Sequence, residues 1–543
     1  MSITSFYFLL FYAFVLLIYY IVPKKGQWVI LLLASILYYL FSDNGFLIFY
    51  PLAAVLVCHL GVRRMVQVRE RAKAQKEEMS SAENSGKSPQ KSLQKSLWKS
   101  LRKSPERLCR QALVAVIVIN VGVLFLLKYI NFGINTVNGI ASFFREGELL
   151  HGLNWLVPLG ISYYSLTLIG YVVDVYFEIA KPLKNPAKLA LYGMFFPCML
   201  SGPILKFRED GDQLYEPHPF DYVQVTRGMQ RMLWGFFKVL VISERMGLIV
   251  DTVYGNYAQY PGLYIWIGTV AFAFQLYTNF SGGMDISLGI AQTFGLKLPE
   301  NFERPFFSKT ISEYWRRWHI TLGVWMKEYV FYPILRSAMF TKLGKKLRAR
   351  FGKKRGKQLT TFAGMFLLWF AVGIWHGGDW KYVIGSGLLH WAYIVCGELL
   401  EPVYAKGMAK LGIDPRAKWV DRLRVLRTFF LVNIGFVFFR ADSVGAAFSM
   451  LKGAVSVFNP GILIDGSIFT LGLDWIEFTI AVVSLLMLLG VSLLQEKGSV
   501  RERIGKKSLP VRWIIWYALL FYVILLGNYG PDYSAAEFIY QGF

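Results

Sequence analysis

Apolar runs long enough to cross a bilayer recur from Phe6 to Val22 almost to the end of the chain at Trp513 to Leu526, with short polar segments between them. A helix needs about 20 mainly apolar residues to span the hydrocarbon core, so the pattern predicts a chain of membrane helices. It places them near 5–22, 28–41, 45–62, 112–130, 157–177, 229–250, 262–280, 359–375, 381–400, 425–439, 472–494 and 511–527. Between 189 and 312 the pattern is broken by polar, Pro- and Gly-bearing stretches, FFPCMLSGPILKF and NFSGGMD. Irregular backbone at membrane depth survives only where protein or a water-filled cavity shelters it, so this middle region is expected to line a cavity. The chain reads as an all-α polytopic membrane protein.

Composition agrees with that reading: of 543 residues 55% are apolar and only 17% charged, against about 25% charged in ordinary soluble proteins. The first apolar run is too long for a signal peptide and lacks a small-residue cleavage site, so it is expected to remain as a helix. Cys58, Cys109, Cys198 and Cys396 show no paired spacing, which predicts neither a disulfide framework nor a metal site. The net charge of +24 is concentrated: residues 63–110, 336–357, 401–424 and 495–512 carry +9, +10, +3 and +4. In a membrane protein such clusters mark cytoplasmic segments rather than a nucleic-acid surface. Alternation from there puts both termini, including the tail 528–543, on the extracytoplasmic side. Within the basic loop 63–110 a four-residue repeat, KSPQ-KSLQ-KSLW-KSLR-KSP, aligns Lys87, Lys91, Lys95, Lys99 and Lys103 beside Leu93, Leu97 and Leu101. It suits either an anionic lipid surface or a solvated linker.

Two stretches carry residues fit for chemistry. In TISEYWRRWHITLGVWMKEYVFYPI, 310–334, helical spacing gathers Trp315, Trp318, Leu322, Trp325 and Tyr329 on one stripe and Ser312, Arg316, His319, Gly323 and Lys327 on another. The polar stripe offers guanidinium and ammonium groups to an anionic, phosphate-bearing donor, and the same pattern fits an aromatic-belt helix. In WFAVGIWHGGDW, 369–380, His376 ends an apolar helix before two glycines. An ionisable residue at such a place is a functional candidate, and imidazole takes a proton from a hydroxyl near neutral pH. His59, His151, His218 and His390 have no comparable sequence setting. The chain has no HExxH, CxxC, P-loop or GxSxG pattern to support metal hydrolysis, redox chemistry, ATP use or a serine hydrolase elbow.

The stretch from QLYTNFSGGMD through RRWHITLGVWMKEYVFYPI, with GIWHGGDWKYVIGSGLLH downstream, resembles the membrane-bound O-acyltransferase (MBOAT) superfamily, in particular its alginate and bacterial polysaccharide O-acetylation branch. The similarity continues through PLGISYYSLTLIGYVVDVY (158–176), FFPCMLSGPILKF (195–207) and GNYGPDYSAAEFIYQGF (527–543), and only the 63–110 insertion looks foreign to it. The resemblance implies a single MBOAT membrane domain over 1–543 with a catalytic core near 195–400. About 11 or more transmembrane helices, with re-entrant and interfacial helices, would surround a central funnel. It assigns catalysis to His376 of WHGGDW with His319 of RRWHITL as its partner. It places Asn279, Asp285 and Trp375 near the reaction chamber, although Gly283 and Met284 depart from the FSGYSD of many alginate-type members.

The chemistry follows from those assignments. His376 is expected to take the proton of an attacking hydroxyl, with His319 or the Trp375 indole orienting it or stabilising the oxyanion, and Arg316, Arg317 and Lys327 holding donor phosphates. The donor is expected to be acetyl-CoA or, alternatively, an acyl-phosphopantetheine carrier protein. The preferred function is acetyl transfer toward an extracellular or cell-wall polysaccharide with a secreted SGNH-type acyltransferase as partner. D-alanyl transfer to teichoic acid is the alternative within the family, and a transporter the alternative outside it. The residues Phe538-Ile539-Tyr540-Gln541-Gly542-Phe543 have an FxYxxF form resembling an acyl-accepting motif of teichoic-acid D-alanylation, which makes Tyr540 a candidate acyl carrier.

Overall fold

The computed structural model describes residues 2–42, 44–84, 91–200 and 202–529. The tail holding Phe538, Tyr540 and Phe543 and the first residues of the 87–105 repeat lie outside the described residues. Helices dominate, and the strand-like pairing among the described residues is an isolated antiparallel bridge between Phe302 and Trp318. Among the described residues six helices are long and apolar enough to cross a membrane: 45–78, 105–141, 338–377, 380–410, 475–497 and 509–526, while Phe6–Ile21 and Val444–Ser456 are apolar but shorter. The chain is a multi-pass, all-α membrane protein.

Two compact units are distinguished, one built chiefly from 10–200 and 204–220, the other from 221 onward. In the first, Phe49–Asn84 and Lys91–Leu124 pack together, and at Gly61 a Cβ would come within 2.3 Å of the Val116 side chain. These two helices also absorb both ends of the segment read from sequence as a basic loop. No Pro or Gly interrupts 62–84, and its Arg, Lys, Glu, Gln and Ala residues are good helix formers. The helix Ile161–Tyr176 is almost wholly buried, and its Asp174 faces the Arg208 guanidinium at 3.3 Å, the pairing that a buried carboxylate requires.

The second unit is organised around Leu263–Thr293, a helix of 31 residues. Here the structure corrects a sequence expectation, because NFSGGMD does not break this helix. Its glycines serve close packing instead. A Cβ on Gly282 would meet the Gly235 carbonyl at 2.9 Å and one on Gly289 the Gly228 carbonyl at 2.7 Å. Reciprocally, Cβ atoms on Gly235 and Gly228 would lie 2.6 Å from the Gly282 and Gly289 carbonyls. Two glycines seven residues apart on each of two helices let the backbones touch, the small-residue packing that membrane helices use where there is no hydrophobic drive between them. The basic segment 336–357 is helical as well, within Ala338–Gly377, which bends at Gly352 where φ is 80°.

Candidate active site

His376 sits at the end of Ala338–Gly377, as its sequence setting predicts. Gly378 takes the left-handed conformation (φ 56°, ψ 45°) that closes the helix, its N–H donating to the Ile374 carbonyl. Gly377 has no room for a side chain, since a Cβ would lie 2.3 Å from the Tyr382 ring. Asp379 then caps the next helical turn by accepting from the Lys381 N–H. The glycine pair thus stops the helix with His376 held one residue before its end.

His319 arrives by a route that helical spacing did not foresee. The stretch 310–334 is not one helix: Ile311–Arg317 stops, Trp318 is extended (φ −112°, ψ 126°), His319 is left-handed (φ 49°, ψ 52°), and Ile320–Met326 starts afresh. The break comes from the antiparallel passage of 301–303. Glu303 N–H donates to the Arg317 carbonyl at 2.9 Å and Ile320 N–H to the Asn301 carbonyl at 3.0 Å. One consequence is that the polar stripe read from sequence divides. His319 is buried, while Arg316, Gly323 and Lys327 are exposed and Arg317 pairs with Glu313 at 2.7 Å.

The two histidines meet at Trp375. Its ring lies 5.7 Å from the His319 ring and 5.2 Å from that of His376, between centroids. His319 also stands edge-on to Phe280 at 4.8 Å and His376 to Phe439 at 5.8 Å. Trp318, 1% exposed, anchors the arrangement among Phe302, Phe306, Tyr277 and Tyr314 at 5.0 to 6.2 Å. Aromatic pairs of this kind contribute about 0.5–1.5 kcal/mol each beyond the area they bury. Beside His376 lies a cavity of about 20 Å³ lined also by Trp315, Ser386 and His390, enough for one water-sized group. His390, unremarkable in sequence, therefore shares a chamber with His376.

The other predicted residues fall differently. Asn279 is buried in Leu263–Thr293. Asp285 belongs to an ionic cluster on a separate, larger cavity: Arg231 Nε reaches it at 2.9 Å and Lys238 Nζ at 2.5 Å. Arg231 also grips Glu300 with both terminal nitrogens, and Lys238 donates to Ser281 Oγ at 2.9 Å. That cavity, about 820 Å³, is lined by the cluster, by Arg304, Arg501, Asn301 and Met284, and by apolar side chains including Leu488, Val491, Trp516 and Leu519. Arg316, Arg317 and Lys327 are not among its lining residues. Sequence reading missed Arg231, Lys238 and Asn301. For Arg231 and Lys238 the signal available was their position in the predicted helix 229–250, where a charge is costly without a partner; Asn301 had no such signal.

The family comparison fits this arrangement. The model of the MBOAT, membrane-bound O-acyltransferase family, matches residues 154–410. That stretch is similar to the MBOAT family. It contains both histidines, Trp375 and the whole ionic cluster. Similar proteins include a probable alginate O-acetylase of Azotobacter vinelandii, 30% identical over 341 residues, covering 63% of this chain and 62% of the relative. A peptidoglycan O-acetyltransferase of Helicobacter pylori is 29% identical over 380 residues, 65% and 66% of the two chains. A teichoic acid D-alanyltransferase of Bacillus subtilis is 27% identical over 293 residues, 53% and 69%. The chain spans less than two thirds of the length of the alginate and peptidoglycan relatives it matches.

Proposed function

We propose that this protein is a membrane O-acyltransferase that moves an acyl group, acetyl in the first instance, from a cytoplasmic thioester toward a hydroxyl of an extracellular or cell-wall polysaccharide. The observation that carries the reading is the convergence of His376 and His319 on one indole inside the stretch similar to the MBOAT family. In the step proposed, the acceptor oxygen attacks the thioester carbonyl while His376 takes the hydroxyl proton. The C–S bond then breaks, and the departing thiolate receives that proton. Burial supports the assignment, since a low-dielectric pocket strengthens every hydrogen bond to the developing oxyanion.

The donor is assigned to the larger cavity. Its apolar wall suits a pantetheine arm, and Arg501, which donates to the Arg227 carbonyl at 3.1 Å, and Arg304, 3.4 Å from Glu496, offer phosphate contacts in place of Arg316, Arg317 and Lys327. Asn301 lines this cavity and also faces His319. The basic segments are assigned to the cytoplasmic side, with both termini outside. A cysteine replacing Lys346 should then resist impermeant thiol reagents in intact cells while one replacing Asp532 reacts, and the reverse order would overturn the orientation.

Transfer is proposed to pass through Tyr540 to a secreted SGNH-type partner, on the strength of the FxYxxF pattern. A phenol ester is more activated than an alkyl ester and suits a carrier that hands its group on. Tyr540→Phe is expected to abolish polymer acylation while donor binding persists. With the partner deleted, mass spectrometry of the tail peptide should find an alkali-labile adduct in the wild type. An acetyl adduct supports acetyl-CoA, a D-alanyl adduct the carrier-protein route, and full polymer acylation in Tyr540→Phe would leave direct transfer at His376. Substrate flux that persists in a His376 variant would favour a transporter instead.

A further inference from the structure

Asn301 is fully buried and stands at the one place where the backbone clamp and the His319 ring meet. Its side-chain oxygen accepts from the Thr321 N–H at 3.0 Å and from the Thr321 hydroxyl at 3.1 Å, and lies 3.3 Å from His319 Nδ1. Its amide nitrogen points the other way, 3.4 Å from Met284 Sδ. The Thr321 backbone N–H decides this orientation: turning the amide over would set two donors against each other, whereas sulfur is a weak acceptor that suits an NH₂ group. The atom facing His319 Nδ1 is therefore a carbonyl oxygen with lone pairs only.

An acceptor at Nδ1 dictates where a neutral imidazole keeps its proton. We infer that Asn301 is a positioning residue that holds His319 as its Nδ1–H tautomer, so that Nε2 is the unprotonated nitrogen. The inference rests on the reading of His319 as the partner of His376. The same residue also holds the His319 backbone, since the Asn301 carbonyl accepts the Ile320 N–H at 3.0 Å. A left-handed conformation in a non-glycine residue is strained and persists where its surroundings over-determine it. Main chain and side chain of one residue thus set both the direction and the proton of the ring.

A functional consequence follows. A neutral His319 whose N–H is committed to Asn301 accepts a hydrogen bond at Nε2 and has none to give an oxyanion. Of the two oxyanion donors considered, the Trp375 indole remains. His319 instead receives the hydrogen bond of a hydroxyl or orients His376.

The test is ¹⁵N spectroscopy of the full-length, histidine-labelled protein in detergent micelles at mildly alkaline pH, with the His319→Gln spectrum assigning the resonances. The wild type should show a protonated Nδ1 and an unprotonated Nε2, and Asn301→Asp, which keeps an acceptor oxygen, should preserve that pattern. Asn301→Leu should lose it and lower kcat by about 10²-fold, the low end of what a misplaced acid–base group costs, with the donor KM unchanged. A protonated Nε2 in the wild type overturns the inference without recourse to any variant. Loss of the tautomer in Asn301→Leu with undiminished turnover would overturn the catalytic reading of His319 while the tautomer assignment stands.

Discussion

Replacing His376 with alanine is expected to abolish polymer acylation while the protein still inserts and folds. Removal of a general base costs about 10²–10⁴ in rate. The histidine ends its helix against a small cavity and the Phe439 ring, and the glycine stop that follows it does not depend on the imidazole. His376→Gln, which keeps most of the volume, separates the two contributions: turnover should stay lost while thermal stability in detergent returns toward the wild type. His319→Ala should be severe as well, since it removes the partner ring that packs on Phe280 and Trp375. Acylation near the wild-type level in a His376→Ala strain would remove the proposed mechanism.

The second large effect concerns Asp285. Replacing it with asparagine leaves Lys238 buried without its carboxylate and Arg231 with Glu300 alone. Breaking a buried ion pair by removing one partner destabilises by about 3–5 kcal/mol, because the remaining charge stays desolvated. Chemical unfolding in mixed micelles should report a loss of that order. The double variant Asp285→Asn with Lys238→Met should recover much of it, since an apolar replacement removes the stranded charge. If the single and double variants prove equally unstable, Lys238 is not stabilised by Asp285, and the cluster's role lies with Arg231 and Glu300.

The local pattern of the chain was sufficient for much of this architecture. Apolar runs located the six long apolar helices among the described residues, because a span of hydrocarbon imposes its length on sequence directly, while the other six predicted spans are not long, apolar helices of that kind. His376 was legible for a similar reason: an apolar helix, a histidine and a glycine pair are all within ten residues, and the glycine stop is a local backbone effect. The motifs around it also carried the family. What periodicity read wrongly was decided at a distance. The stripe through 310–334 assumed one continuous helix, yet the chain turns at His319 because 301–303 runs alongside it and takes its hydrogen bonds, and no spacing inside 310–334 records that neighbour. Glycines in NFSGGMD looked like breaks because a single helix gains nothing from them, whereas two helices in contact gain the space that an absent Cβ leaves. Asp285 shows the same division. Its place near the reaction chamber was an implication of the family resemblance, but its partners, Arg231 and Lys238, come from a different helical segment. Only the packed structure identifies them, because a buried charge is settled by whichever opposite charge the fold brings within hydrogen-bonding distance, whatever their separation along the chain.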